Sequence, residues 1–167
     1  MTKKLENLLP LVILLFGLLI SVTMFLDVLK TNDDQAIMNG LTAIFGGNTY
    51  RFGTFIDHNV NFSILNLLAF ILPGFMSILL VIGVINHKKT SYIKLIMGLI
   101  TTTVFVISII LLFQLPSNTT FTRTIINVEY NGTYKAYNLA IGAVFGYVSA
   151  ILGAVSSVIY SVLQFEK

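Results

Sequence analysis

The sequence predicts an all-α membrane protein, built as a bundle of four transmembrane helices with a small extracytoplasmic cap. Three observations carry this prediction. Hydrophobic residues make up 56% of the 167 residues and charged residues only 10%, whereas about 45–50% of a soluble domain is apolar. Four long apolar runs alternate with polar segments. The lysines gather at the segments that join these runs on one side. This length suits a single membrane domain, residues 1–167, without a separate soluble catalytic domain.

Each apolar run is long enough to cross a bilayer, which takes about 20 residues of helix. We expect spans at 8–26, 62–85, 95–115 and 139–162, joined by an outer loop at 27–61, an inner loop at 86–94 and an outer loop at 116–138. The first run follows Lys3 and Lys4, and a basic start before an apolar run is also typical of a cleaved signal peptide. Residues 23–26 lack the small side chains of a cleavage site, so a retained first helix is the better interpretation.

The basic residues predict that both termini are cytoplasmic. The predicted inner segments carry Lys3, Lys4, Lys88, Lys89, Lys94 and Lys167, and the longer outer loops carry Lys30, Arg51, Arg123 and Lys135. Positive residues favour the cytoplasmic side in short loops. The net charge of +3 does not indicate nucleic acid, because these cations flank apolar spans and form no basic face. The lipid bilayer is the expected environment. The lack of Trp and the abundance of Ile, Asn and Lys indicate an AT-rich coding sequence. Such a source favours the plasma membrane of a bacterium as the location.

The fourth span has one face of small residues at helical spacing. That face consists of Gly142, Gly146, Ser149, Ala150, Gly153, Ala154, Ser157 and Ser161. Membrane helices associate through close backbone approach, which small residues at every fourth position allow. A single such pair is common in any membrane helix, but a face sustained along the whole span predicts a packing surface. Its partner is either another helix of the same chain or a second copy.

Polar residues inside the second and third spans allow two interpretations. Asn66, Pro73 and Ser77, with Thr101 to Thr103, either bond neighbouring helices together or line a polar path. Pro73 leaves the carbonyl of Ala69 without its usual donor, so we expect a kink whose polar groups find partners within the bundle. No ionisable residue lies deep in any span, which argues against a coupled transporter.

The outer loops contain patterns of local structure. An apolar stripe from Ile37 to Phe45 predicts a short amphipathic helix that begins near Asn32 or Asp33 and ends before Gly46. A short strand is expected at 48–56. Asn131-Gly132 predicts the two-residue turn of a β-hairpin with a return arm at 133–137. Together these elements predict a cap with a surface for a protein partner, which would include Ile37, Leu41, Phe45, Tyr130, Asn131, Gly132 and Tyr134.

Sequence features that carry chemistry are few. There is no Cys and no metal-ligand spacing or nucleophile with its base, so we expect neither an enzyme nor a cofactor. The predicted topology separates His58 and His87. Asp57-His58 with Asp33-Asp34 suits a cation, although solvated loop polarity is the preferred interpretation. Glycosylation sequons begin at Asn61, Asn118 and Asn131, all in outer loops.

Two functions remain open from the sequence. The first is a structural or accessory subunit that binds a protein partner or a second copy through the outer loops and the small face of the fourth span. The alternative is a small oligomeric channel or transporter subunit. The layout of four spans with a longer first outer loop resembles claudin-like tetraspan proteins. This chain lacks the Trp and the Cys pair of their first loop, so no functional residue is transferred.

Overall fold

A computed structural model describes residues 2–52, 56–86 and 91–165, and it shows a mainly helical protein with two small sheets. The helices are α1 Thr2–Thr23, α2 Gly40–Phe45, α3 Ile64–Asn86, α4 Ser91–Phe113, α5 Leu115–Asn118 and α6 Ile141–Phe165. The strands are β1 Asp27–Lys30, β2 Ala36–Asn39, β3 Gly47–Phe52, β4 Ile56–Val60, β5 Thr120–Ile125, β6 Val128–Thr133 and β7 Asn138–Leu139.

Three helices, within Ile64–Ile85, Ser91–Phe113 and Ile141–Phe165, are long and apolar enough to cross a membrane in the part of the chain that the structure describes. The apolar part of α1, Asn7–Thr23, is shorter. The prediction of a mainly helical protein with membrane-compatible helices is therefore confirmed. The predicted boundaries differ by a few residues, since α4 begins at Ser91 and residues 138–139 form strand β7 before α6.

The four long helices pack as a closed ring. Helix α1 packs against α3 and α6, and α4 packs against the same two helices. Large side chains fill the interior, among them Ile13, Phe70, Phe105 and Tyr160, all fully buried. Many Leu, Ile and Val side chains remain exposed on the outside of the ring, which is the arrangement expected where lipid surrounds a bundle.

Helix α3 continues through Pro73, and two carbonyls in the turn before Pro73, including the one that it frees, accept hydrogen bonds from neighbouring helices. The carbonyl of Ala69 accepts a hydrogen bond from Ser108 Oγ of α4 at 2.6 Å. The next carbonyl, that of Phe70, accepts one from Ser21 Oγ of α1 at 2.9 Å. The expected partners thus lie within the bundle, and Pro73 becomes a point where three helices are joined.

The cap comprises residues 27–52, 56–63 and 114–140, which connect α1 to α3 and α4 to α6 at one end of the bundle. One sheet has the order β2-β1-β7 and the other the order β3-β4-β5-β6. In both sheets a strand of the first connection pairs with a strand of the second, β1 with β7 and β4 with β5. Asn66 ties the cap to α3, because its Nδ2 donates to the carbonyl of Ala43 at 2.8 Å and to Thr119 Oγ1 at 2.9 Å.

The predicted amphipathic helix is largely wrong, because Ala36–Asn39 is strand β2 and only Gly40–Phe45 is helical. The helix begins at Asn39, whose Oδ1 accepts from the N–H of Thr42 at 2.9 Å, and not near Asn32 or Asp33. The physical reason is pairing. Residues 36–39 form backbone hydrogen bonds with strand β1 as an antiparallel pair. This pairing outweighs the tendency to form a helix that the spacing of the apolar residues indicated.

The predicted turn of the hairpin is also wrong. Strands β5 and β6 turn at Ile126-Asn127, whose φ angles are 48° and 66°, while Asn131 and Gly132 lie within β6. Gly132 is needed for another reason, because a Cβ there would lie 2.6 Å from Cζ of Phe121 on the neighbouring strand. The single strand expected at 48–56 is two paired strands, β3 and β4, and residues 53–55 lie outside the described chain.

Candidate functional site in the cap

The small-residue face of α6 is covered by the rest of the chain. Gly142, Gly146, Ser149, Ala150, Gly153 and Ser157 are buried, and Ala154 is half-buried. A Cβ on Gly142 would lie 2.8 Å from the carbonyl oxygen of Asp27, and one on Gly146 would lie 2.9 Å from Thr23 Oγ1. A Cβ on Gly153 would overlap the ring of Phe105 in α4. Helices α1 and α4 therefore occupy this face.

The three residues expected to line a polar path each bond to backbone or to the cap. Ser77 Oγ donates to the carbonyl of Pro73 at 2.7 Å, and Asn66 binds cap groups as described above. The hydroxyls of Thr101, Thr102 and Thr103 each donate to the carbonyl four residues earlier in α4. Three consecutive residues point to different sides of a helix, so these threonines do not share one surface.

The residues of the predicted partner surface are distributed over different environments. Phe45, Tyr130 and Asn131 are exposed, whereas Ile37, Leu41 and Gly132 are half-buried and Tyr134 is buried. Of this group, Tyr130, Asn131 and Gly132 belong to β6, an edge strand of the four-stranded sheet. The site that the structure presents is centred on that sheet.

The four-stranded sheet has one apolar face and one polar face. Residues paired across antiparallel strands point to the same side, and neighbours along a strand point to opposite sides. The register places these residues on the apolar face: Tyr50, Ile56, His58, Val60, Phe121, Arg123, Ile125, Val128, Tyr130 and Gly132. The polar face holds Arg51, Asp57, Asn59, Thr122, Thr124, Glu129 and Asn131.

The apolar face is covered only near the bundle. Close to α3, Val60 is buried and Phe121 packs on Tyr134 with ring centroids 5.2 Å apart. Toward the Ile126-Asn127 turn the same face is open, and Tyr50, Val128 and Tyr130 are 56%, 51% and 55% exposed. The sheet thus presents an uncovered apolar surface, which we call the distal face, formed by Tyr50, Ile56, Ile125, Val128 and Tyr130.

A pocket of about 360 Å³ lies where the distal face meets the covered part of the sheet. It is lined by Ile37, Thr49, His58, Phe121, Arg123, Thr133, Tyr134 and Tyr137. His58 Nε2 lies 2.9 Å from Tyr134 Oη. The ring centroids of His58 and Phe121 are 4.7 Å apart, and those of Tyr134 and Tyr137 are 5.2 Å apart. The pocket therefore has aromatic walls and a hydrogen-bonding pair at its edge.

Arg123 is the single formal charge in the lining of this pocket at neutral pH. Burial lowers the pKa of His58 below its usual 6.5, Arg123 lowers it further, and Asp57 opposes these effects. Burial raises the pKa of the Tyr134 hydroxyl, with a further contribution from Tyr137. Both rings are therefore neutral at pH 7. Within the described residues, Arg123 has no carboxylate close enough for an ion pair.

Phe121 and Arg123 are site residues that the sequence interpretation did not select, and it considered His58 only as part of a cation site with Asp57. The alternation of Phe121, Arg123 and Ile125 with threonines is a signal that could have indicated one shared face of a strand. His58 joins that face only because β4 pairs with β5, from two loops that are far apart in the sequence. A pairing of this kind has no local sequence signal.

Other parts of the described structure show fewer features of a binding or catalytic site. Among the described residues no group of three His, Cys, Asp or Glu could hold a metal ion. A groove of about 620 Å³ lies between α1 and α3 at the end of the bundle opposite the cap, lined mainly by apolar side chains with Lys94 at its edge. Its exposed apolar walls suit lipid chains.

Comparisons with known proteins give no relative. A scan against protein-family models found no match. Searches of curated proteins and of solved structures also found none. Any inference about function therefore rests on the residues and geometry of this chain.

Proposed function

We propose that the protein crosses a bacterial plasma membrane four times, with both termini in the cytoplasm and the cap outside. Helix α1 supports this because it closes a ring with three helices that are long enough to span. Its apolar part, Asn7–Thr23, is near the lower limit of about 17 residues for a spanning helix. Lys94 lies at the end of the bundle opposite the cap, which agrees with the preference of lysines for the cytoplasmic side.

The absence of Cys makes the topology directly testable. Single-cysteine variants Glu129→Cys, in the cap, and Tyr92→Cys, at the other end of the bundle, are exposed positions. A maleimide that cannot cross membranes should label the first in intact cells and the second only after lysis. Labelling of Tyr92→Cys in intact cells would contradict the proposed orientation.

We further propose that the protein is a non-enzymatic accessory subunit whose cap binds a protein partner. The observation that carries this proposal is the distal face, an apolar sheet surface that no part of the described chain covers. A sheet normally buries its apolar face against another layer, and contiguous exposed apolar surface marks interaction sites. Because the small-residue face of α6 is already filled by α1 and α4, the cap is the better candidate interface.

The edge of the sheet adds to this surface. Among the described strands, β6 pairs with β5 alone, so its outer N–H and C=O groups are available for an extended segment of a partner. Such edges are usually protected by charged residues or by cover. In β6 the side chains of the distal face, Val128 and Tyr130, are apolar, which suits a partner that pairs with the edge and packs on the face.

The interface is testable with two double variants on one strand. Val128→Thr with Tyr130→Thr alters the distal face, and Glu129→Thr with Asn131→Thr alters the polar face of the same strand. Threonine suits strands, so the hairpin should form in both. The measurement is the amount of each protein that co-purifies with the tagged chain. At least one such protein should be recovered in a smaller amount with the first double variant and in an unchanged amount with the second. Equal losses from both variants, or no loss from the first, would contradict the proposal.

The identity of what binds separates the remaining alternatives. A distinct membrane protein that depends on Val128 and Tyr130 would establish an accessory subunit. Recovery of a second copy of this chain alone, measured with two differently tagged copies, would instead indicate a homo-oligomer. Ion or solute flux in reconstituted vesicles would then test the alternative of an oligomeric channel, in which Asn66 and Pro73 are the residues to change.

A further inference from the structure

The pocket beside the distal face has the chemistry of a site for one anionic residue. Among the described residues, its lining combines Arg123 with the aromatic residues His58, Phe121, Tyr134 and Tyr137 and contains no carboxylate. Arginine binds carboxylates through two parallel N–H donors. The charge of Arg123 has no ion-pair partner among the described residues and lies beside aromatic side chains. It therefore complements an acidic group with an apolar neighbour.

The nearest acids of the sheet do not neutralise this charge. Asp57 is adjacent to His58, but the alternation of the strand puts its side chain on the polar face, where its carboxylate accepts hydrogen bonds from Asn48 and Asn59. Glu129 is on the polar face as well. Arg51 is the matched contrast to Arg123, because it belongs to the same sheet but pairs in register with Asp57 on the polar face.

We propose that this pocket binds an acidic side chain of the partner, with Arg123 pairing to the carboxylate and a neighbouring apolar side chain packing against Phe121. The proposal rests on the proposed function, since it specifies which partner segment the cap selects. The pocket adjoins the distal face, because its residues His58 and Arg123 are two positions along β4 and β5 from Ile56 and Ile125 of that face. A bound segment would therefore continue along the sheet. An acidic residue within an extended segment fits this geometry better than a chain end.

The chain is well suited to a direct binding measurement, because His58 and His87 are its only histidines. In a His87→Gln background, the imidazole NMR signals of the full chain in nanodiscs report His58 alone. Two blocked peptides serve as probes, N-acetyl-Phe-Asp-amide and its isosteric neutral counterpart N-acetyl-Phe-Asn-amide. The Asp peptide should shift the His58 signals saturably, and the Asn peptide should bind about tenfold more weakly, since hydrogen bonds to a charged group are the stronger ones.

Variants of the two arginines identify the source of the preference. Arg123→Gln should remove the difference between the peptides, Arg123→Lys should keep a preference for the Asp peptide at lower affinity, and Arg51→Gln should bind like the parent. The inference is overturned if neither peptide gives a saturable shift, if both bind equally to the parent, or if Arg51→Gln has the same effect as Arg123→Gln. An unchanged melting temperature of each variant shows that the fold is retained.

The two proposals fail in different ways. If the peptides do not bind but a partner is still lost with Val128→Thr and Tyr130→Thr, the interface stands and the acidic specificity is wrong. If the Asp peptide binds through Arg123 but no partner depends on Val128 and Tyr130, the pocket is a small-ligand site and the proposed interface is wrong.

Discussion

Helix α6 and the four-stranded sheet each have one distinctive face. The described part of the chain covers the face of α6 but leaves the distal face of the sheet open. Gly142 and Gly146 lie against the end of α1, and Gly153 lies against Phe105 of α4. On the sheet, by contrast, Tyr50, Val128 and Tyr130 are not covered by any layer of the described residues. Small residues on a membrane helix are thus explained by packing within the bundle, whereas apolar residues on a sheet outside the bundle still require an explanation.

The two regions differ in their surroundings, and this decides whether an exposed apolar surface indicates a partner. In the proposed topology, the exposed Leu and Ile side chains around the bundle contact lipid, so an apolar surface there implies no partner. In the proposed topology the cap is in water, where exposed apolar area has a cost of roughly 25 cal/mol for each Å² that burial would remove. The same composition therefore indicates an interface in the cap but not on the outside of the bundle.

The largest expected effect is on the covered face of α6. Gly153→Leu should destabilise the protein by about 3 kcal/mol, because the new side chain would overlap the fully buried ring of Phe105. Val148→Leu, at a position 46% exposed, is the control and should change stability by no more than about 0.5 kcal/mol. Thermal unfolding in detergent micelles measures both. Similar melting temperatures for the two variants would show that α6 does not pack through its small residues.

A smaller effect is expected at the junction around Pro73. Ser108→Ala should cost about 1 kcal/mol, because it removes the donor to the carbonyl of Ala69. In a Pro73→Ala background the restored N–H can bond to that carbonyl, so Ser108→Ala should cost less there. A double-mutant cycle, measured by thermal unfolding, gives the coupling free energy between Ser108 and Pro73. Additive effects would mean that Ser108 does not compensate for Pro73.

These two regions also show what the sequence could and could not predict. Hydropathy located the long helices to within a few residues. A long apolar segment in lipid must satisfy its backbone hydrogen bonds internally, and a helix is one of the few structures that does so. The cap was predicted poorly. Asn131-Gly132 is the favoured turn dipeptide, but Gly132 is required under the ring of Phe121, and the chain turns at Ile126-Asn127. The site was missed for the same reason, because the pairing of β4 with β5 brings together His58 and Arg123 from separate loops.

The turn of the hairpin offers a change that should stabilise the cap. Ile126 is β-branched, 68% exposed and has a φ of 48°, a conformation that Asn adopts more easily. Ile126→Asn should raise the stability of the hairpin by about 1 kcal/mol, seen as slower amide exchange in β5 and β6. Unchanged exchange would mean that the turn is not strained. Weaker partner binding by this otherwise stabilised variant would place Ile126 in the interface.

The smallest expected effect is a dependence of cap stability on pH through His58. Because its pKa is lowered in the folded state, mainly by burial and then by Arg123, the unfolded chain binds the proton more readily. Stability should therefore be full above pH 6.5, fall as the pH drops from there to the lower folded pKa, and then level off. His58→Gln should remove this component from the pH dependence of amide exchange in β4 and β5. An unchanged profile would contradict the lowered pKa.

The most direct test of the central claim is photo-crosslinking from single positions along β6 in intact membranes. A photoreactive phenylalanine analogue at position 128 or 130 would sit on the distal face, and one at 129 or 131 would sit on the polar face of the same strand. If the distal face is the interface, one crosslinked partner should be shared by positions 128 and 130 and be absent from positions 129 and 131. Equal crosslinking from all four positions, or from none, would contradict the claim that the apolar face of this sheet is the surface that binds a protein partner.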